Sequence, residues 1–195
     1  VARAAGGADA LPPGEKCLFL LSAYKIGKEK VMIEVSRRTG RRVYVSEEKM
    51  RVIECLGLSP EELSHFTRDM HETPIHVCKM GFAAETFPYL QPKFGNTEAY
   101  IRDNSLPFDS VVAFVPTGWA DASKYNRENA VLTRGTQQVR LVPYSEHSSY
   151  SELVGFVRFL RPRRVVPTVF SDAKGYREVE ALLGGLVNRT ANVRA

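Results

Sequence analysis

The 195-residue sequence lacks several features that would assign it to a class at once. It has no CxxC pair, and its three cysteines are scattered at Cys17, Cys55 and Cys78, each among apolar neighbours. This pattern argues against a disulfide scaffold and against a cysteine zinc site, and we expect reduced thiols packed as small hydrophobes in an intracellular compartment. No run of about 18 apolar residues is present, so no segment is predicted to span a membrane.

The first residues also lack the charged start and the apolar run of a signal peptide. Residues 1–16 are rich in alanine, glycine and proline, and the chain begins with Val1. We interpret 1–16 as a linker and expect the sequence to be a fragment of a longer chain. No internal repeat interrupts the remainder.

The composition is that of a globular protein with a modest basic excess. Hydrophobic residues make up 44% and charged residues 25%, and the net charge is +5 with a pI near 9.2. This excess favours a polyanionic partner without proving one.

Apolar runs alternate with amphipathic segments, which predicts an α/β protein with a largely parallel sheet. Strands are expected at 17–21, 43–45, 75–80, 109–115, 139–143 and 165–169. Helices are expected between Lys30 and Gly40 and at 46–56, 60–66, 83–90, 150–160 and 174–186, and a surface loop at 91–107.

A polar turn at 144–150 places His147 where a strand gives way to a helix. Ligands collect at this edge of an open α/β sheet, and the free N–H groups of a helix start suit a phosphate. Ser148 or Ser149 can cap that helix, and Ser145 and Ser148 are candidate phosphate contacts. The alternative interpretation of His147 is a capping or hydrogen-bonded surface residue.

Basic and aromatic residues near the same edge are candidates for binding nucleic acid. Lys25 and Lys28 could contact phosphates, and Trp119 could stack on a base or simply close the core. Two other histidines, His71 and His76, are five residues apart around a proline, a spacing that does not suit a metal site.

Three phrases occur in order at 24–31 (YKIGKEKV), 114–119 (FVPTGW) and 143–150 (PYSEHSSY). Together they resemble the DNA cross-link repair nucleases, the Artemis-like branch of the metallo-β-lactamase/β-CASP superfamily. The resemblance implies a β-CASP cassette at 17–135, followed at 136–195 by the C-terminal part of a metallo-β-lactamase αββα sandwich.

The resemblance also implies roles for individual residues. Glu29 matches the acidic residue of motif A, and His147 matches the histidine of motif B, which would stabilise the phosphate or protonate the leaving oxygen while Glu29 orients its imidazole. Val169 matches motif C, where a valine resembles the DNA-acting branch and a histidine the RNA-acting branch. Without the resemblance, the alternative interpretation of Glu29 is a solvent-exposed i,i+4 ion-pair partner on a lysine-rich helix.

The zinc ligands of that superfamily lie in an HxHxDH signature and later residues N-terminal to the cassette, and none of them is present in this sequence. The resemblance therefore implies a nuclear, zinc-dependent 5′–3′ exodeoxyribonuclease of cross-link and double-strand-break repair that is inactive as this chain alone. Two alternatives stay open: an RNA-processing β-CASP nuclease, and a non-catalytic nucleic-acid-binding remnant of the cassette.

Overall fold

The computed structural model describes residues 16–120 and 123–188. Contacts group the chain into two compact units, Val1–Glu146 and His147–Ala195. The strands of the first unit are β1 (Cys17–Ala23), β2 (Val43–Tyr44), β3 (Phe66–Thr67), β4 (Ile75–Lys79), β5 (Ala84–Glu85), β6 (Gln91–Pro92), β7 (Ser110–Thr117), β8 (Val131–Arg134) and β9 (Gln137–Pro143). Its helices are α1 (Glu29–Thr39), α2 (Glu47–Glu54), α3 (Pro60–Ser64), α4 (Phe94–Asp103) and α5 (Lys124–Glu128), and the second unit contains α6 (Tyr150–Leu160) and α7 (Ala173–Gly184).

A seven-stranded sheet in the order β3-β2-β4-β1-β7-β9-β8 organises the first unit. Its neighbours pair in parallel except β8 and β9, which are antiparallel. Side chains of β1 alternate between two hydrophobic clusters, with Leu18 and Leu20 in one and Leu21 and Ala23 in the other. Both faces of the central strand are therefore covered, as its continuous apolar run predicts. The α/β prediction with a largely parallel sheet is confirmed.

Local capping explains where several helices begin and end. The Ser46 side chain accepts a hydrogen bond from the Lys49 N–H, and Ser59 and Ser149 each form a capping box. Helix α1 ends at Gly40, which adopts a left-handed conformation. The three serine side chains accept hydrogen bonds from N–H groups that have no partner within the helix. The predicted helix starts at these serines are confirmed.

The helix predicted at 83–90 is wrong. Residues Ala84 and Glu85 instead form β5, which pairs antiparallel with β6. Pro88 has no backbone N–H to donate within a helix, so the pairing of the flanking segments decides the structure.

The surface loop predicted at 91–107 is also wrong, because it contains α4. This helix has no side-chain cap, and Gly95 and Asn96 in its first turn are poor helix formers. It is stabilised by contacts distant in sequence. The buried Thr97 donates a hydrogen bond to Gln137, and the Tyr100 hydroxyl lies 3.0 Å from His76 Nδ1.

The strand predicted at 165–169 is not formed. Among its described residues, 147–188, the second unit contains two helices and no strand, so it provides no partner strand for this segment. Val166 and Val169 are 58% and 86% exposed, which contradicts the prediction of a buried strand. The assignment of Val169 to motif C stays a prediction.

Two further expectations need correction or qualification. Cys78 is buried, as expected of a thiol packed as a small hydrophobe, but Cys55 is exposed just beyond α2. A cassette boundary at residue 135 stays a prediction, since the resemblance assigns β9 to the part that follows the cassette, whereas β9 pairs with β7 within the first unit.

Candidate functional site

The loops that follow β1, β7 and β9 meet at one edge of the sheet. These three strands are adjacent and parallel, so their carboxyl ends point the same way. Chain connections leave β1 and β7 in opposite directions across the sheet, and ligands bind in α/β proteins at such a reversal of strand order. The loop after β1 carries Lys25 and Lys28 and leads to Glu29, the first residue of α1. The loop after β7 carries Trp119, and Ser145 follows β9.

The turn at Gly27 and Lys28 is shaped by Glu146, which follows β9. Both oxygens of the Glu146 carboxylate accept the Lys28 N–H at 2.9 Å. Gly27 has a φ of +112°, and a Cβ at this position would lie 2.7 Å from Glu146 Oε2. Glycine is therefore required here both by the backbone conformation and by the close approach of the carboxylate.

Glu29 lies at the start of α1, where its carboxylate accepts the Gly27 N–H at 3.0 Å and the Lys49 Nζ at 2.5 Å. The Glu29 and Lys49 side chains are only 12% and 8% exposed. Lys49 Nζ also donates to the carbonyl oxygens of Tyr24, Lys25 and Gly27, at 3.2, 3.2 and 3.4 Å. One buried ammonium group thus holds the whole loop that presents Glu29.

Sequence reasoning missed both Lys49 and Glu146. Their contacts join residues 20 and 118 positions apart, so no local pattern reveals them. A signal was available only for Glu146, which stands inside the phrase that carries Ser145 and His147. Glu29 is not the exposed helix-surface residue of the alternative interpretation. Its orientation of the His147 imidazole stays a prediction.

The two lysines proposed as phosphate contacts lie in different surroundings. Lys28 is only 5% exposed, and its Nζ lies 4.9 Å from the centre of the Tyr144 ring. Burial lowers the pKa of Lys28, and the nearby charge of Glu146 opposes that effect. Lys25 forms an ion pair with Glu48 at 2.6 Å, in which both side chains are well exposed.

Ser145 lies close to Gly118, the residue before Trp119. The position of a Cβ on Gly118 is 3.3 Å from both Cβ and Oγ of Ser145. Trp119 is 51% exposed, and its ring centre lies 5.2 Å from that of Phe87. It is therefore not the fully buried core residue of the alternative interpretation, and it presents a free surface beside the predicted phosphate contact.

His147, Ser148 and Val169 belong to the second unit. His147 and Ser148 are exposed, in the residues that lead into α6. Ser149, not Ser148, provides the cap, accepting the Glu152 N–H at 3.3 Å. The roles of His147 and Ser148 toward a phosphate stay predictions.

The described residues do not provide a metal site. Within 16–120 and 123–188, no group of three or more His, Cys, Asp or Glu side chains could hold an ion. His76 is fully buried, with its ring nitrogens 3.0 Å from the Tyr100 hydroxyl and 2.9 Å from the Thr73 carbonyl oxygen. Burial lowers the pKa of His76, which suits a neutral ring in the core. The helices in this part of the chain are all too short or too polar to cross a membrane.

The protein is an α/β protein in which buried charged side chains hold the loops at the carboxyl ends of the strands. Residues 60–173 match the family described as DNA repair metallo-beta-lactamase. The chain belongs to this family, which confirms the resemblance found in its sequence. The family name implies metal binding, to which the described residues contribute no cluster.

Several curated proteins are similar to most of this chain. It is 40% identical over 183 residues to "DNA ligase 6" of Arabidopsis thaliana, covering 91% of the chain and 13% of that protein. It is 32% identical over 163 residues to the human "DNA cross-link repair 1A protein", covering 83% and 15%. It is 30% identical over 174 residues to "DNA cross-link repair protein SNM1" of Arabidopsis thaliana, covering 87% and 34%. The chain thus spans between 13% and 34% of the length of these relatives.

Proposed function

We propose that this chain is part of a nuclear DNA repair nuclease, a zinc-dependent 5′–3′ exodeoxyribonuclease that acts on single-stranded or damaged DNA ends. The observation that carries the proposal is the loop holding Glu29 at the carboxyl edge of the sheet, fixed by the buried Lys49 and by Glu146. Buried charged groups that fix the position of one loop are typical of a functional site whose residues must be held in place. Family membership supplies the substrate class.

Phosphodiester hydrolysis adds water across a P–O bond: the water oxygen bonds to phosphorus, and the departing oxygen receives a proton. We assign the delivery of that proton, or stabilisation of the charged phosphate, to His147 and the orientation of its ring to Glu29. Ser145, Ser148 and the N–H groups at the start of α6 would grip a terminal phosphate. By the resemblance to the superfamily, the residues that bind zinc would lie N-terminal to the cassette.

The direct test compares two histidine variants in a longer product of the same gene that contains an HxHxDH signature. His147→Ala should lower the rate of cleavage of 5′-phosphorylated single-stranded DNA by about 10²–10⁴-fold, the usual contribution of a general acid. His71→Ala changes an exposed histidine with no proposed role and should leave the rate unchanged. Near-normal cleavage by His147→Ala would show that His147 has no catalytic role.

The 195-residue chain alone provides the second arm of the test. Incubated with zinc and the same substrate, it should not cleave DNA. Turnover by the chain alone would show that the metal site has been placed wrongly. A gene with no HxHxDH signature upstream of this region would instead support the non-catalytic alternative.

A further inference from the structure

Four exposed aromatic side chains form a cluster beside the candidate site. Phe87, Tyr89, Trp119 and Tyr125, termed here the aromatic cluster, are 66%, 46%, 51% and 43% exposed. They pair as Phe87 with Trp119, at 5.2 Å between ring centres, and Tyr89 with Tyr125, at 5.5 Å. The ring planes are inclined by 57° in the first pair and by 64° in the second. The two rings of each pair therefore contact each other at an angle, and part of each ring stays exposed to solvent.

Buried Asn126 holds the backbones of the aromatic cluster together. Its side-chain Oδ1 accepts the Leu90 N–H at 2.8 Å, and its Nδ2 donates to the Trp119 carbonyl oxygen at 2.9 Å and to that of Thr86 at 3.4 Å. Asn126 is 0% exposed, and Leu90 is 1% exposed. The exposed rings are thus mounted on a fixed, hydrogen-bonded base, so binding to them would cost little ordering of the backbone.

The aromatic cluster adjoins the predicted phosphate contact. Trp119 lies two residues beyond the end of β7, and a Cβ added to its neighbour Gly118 would lie 3.3 Å from Ser145 Cβ and Oγ, so Gly118 lies close to Ser145. A strand whose terminal phosphate lies at Ser145 would therefore pass its first bases over these rings.

The charges around the cluster favour a nucleic acid over an apolar protein surface. Helix α5, which carries Tyr125, also carries Lys124 and Arg127, with Glu128 as its acidic residue. Lys124 is 3.6 Å from Glu128, and both side chains are well exposed, so this pairing is weak in water. Aromatic rings interleaved with cations are the usual surface for single-stranded nucleic acid, where the rings stack on bases and the cations follow the backbone.

We propose that the aromatic cluster stacks the bases of a single DNA strand that enters the candidate site. The inference rests on the proposed function, since it names how that site takes its strand, and it extends the assignment of Trp119 to three further residues. The cluster would bind without regard to sequence, because every base offers an aromatic face.

The experiment uses Trp119 as its reporter, since it is the one tryptophan of the chain. The 195-residue chain is titrated with a 5′-phosphorylated oligothymidine and with an abasic strand of equal length, without added metal. We expect the thymidine strand to quench the fluorescence and to bind more tightly than the abasic strand.

Two variants then test the remaining rings. Tyr125→Ala and Phe87→Ala should each weaken binding of the thymidine strand by about 5- to 160-fold, the effect of losing one stacked base at ~1–3 kcal/mol. Neither should change binding of the abasic strand. The matched control is Phe159→Ala, which removes a ring that is 83% exposed in the second unit and should leave both affinities unchanged. Circular dichroism and the Tm check that each variant is folded.

The inference is overturned if the chain does not distinguish the two strands, if the cluster variants bind like the control, or if Trp119 fluorescence changes with protein concentration because copies associate through the cluster. Failure of the proposed function gives a different result. In that case the chain binds the thymidine strand through the cluster, while the longer product fails to cleave it.

Discussion

Replacement of Lys49 by methionine tests how much the buried ion pair contributes to the first unit. The change keeps an unbranched side chain and removes the ammonium group, which donates to Glu29 and to the carbonyl oxygens of Tyr24, Lys25 and Gly27. Glu29 would then be a carboxylate, 12% exposed, without its countercharge. Removing one partner of a buried pair costs about 3–5 kcal/mol, and we expect Lys49→Met to lower the free energy of unfolding by that amount.

The matched control is Lys25→Met. Lys25 and Glu48 are only 2.6 Å apart, close to the 2.5 Å between Lys49 and Glu29, but their side chains are 67% and 74% exposed. Exposed pairs contribute about 0.2–1 kcal/mol, so this variant should be nearly as stable as the parent. Urea denaturation at neutral pH, followed by the fluorescence of Trp119 in the first unit, measures both variants.

Equal losses for the two lysine variants would refute the reasoning, because burial would then make no difference. A double-mutant cycle gives an independent check. In a background of Glu29→Gln no carboxylate is left unpaired, so Lys49→Met should cost about 1–3 kcal/mol less than it does alone. Strict additivity would mean that Lys49 and Glu29 do not interact in solution.

Two further variants or reagents test the turn and the thiols. Gly27→Ala should lower the free energy of unfolding by about 1–3 kcal/mol more than Gly40→Ala does, as measured by thermal or urea unfolding. Both positions have a positive φ, but only at Gly27 would the added Cβ lie 2.7 Å from Glu146 Oε2 and disturb the hydrogen bonds of that carboxylate. Equal losses of stability would contradict the close approach. At pH 8, iodoacetamide should alkylate the exposed Cys55 and leave Cys78 unmodified in the native chain. Burial raises the pKa of Cys78 to about 11, so its side chain stays a thiol at this pH. Equal labelling of the two cysteines, measured by mass spectrometry, would contradict the burial of Cys78.

The parts of the fold that could be predicted are those with local causes. Helix α6 begins and ends where the sequence indicates, since Ser149 and Glu152 form its capping box within one turn. Strand β1 is a continuous apolar run that needs burial on both faces, whichever strands provide it. Helix α4 could not be predicted, because its buried Thr97 depends on Gln137, 40 residues later in the chain.

The residues of the candidate site likewise fall into those that the sequence reveals and those that only the tertiary structure reveals. Glu29, His147 and Trp119 were found because their phrases resemble a family. The structure places Glu29, at the start of α1, and Trp119, on the loop after β7, at one edge of the sheet. Lys49 could not be found, because on α2 it reads as an ordinary helix-surface lysine until the position of the loop after β1 is known. Burial of a charge depends on the tertiary fold, and no local pattern of residues reports it.

The order of strands in the sheet has a consequence for biosynthesis. The central strand β1 is made before both of its partners, since β4 and β7 begin at Ile75 and Ser110, some 60 and 90 residues later. An apolar strand with two unpaired edges must therefore wait while most of the first unit leaves the ribosome. Parallel pairing between such distant segments is slow, and the waiting strand is open to aggregation. Chaperone capture of nascent chains should accordingly begin when β1 emerges and end only after β7 is available.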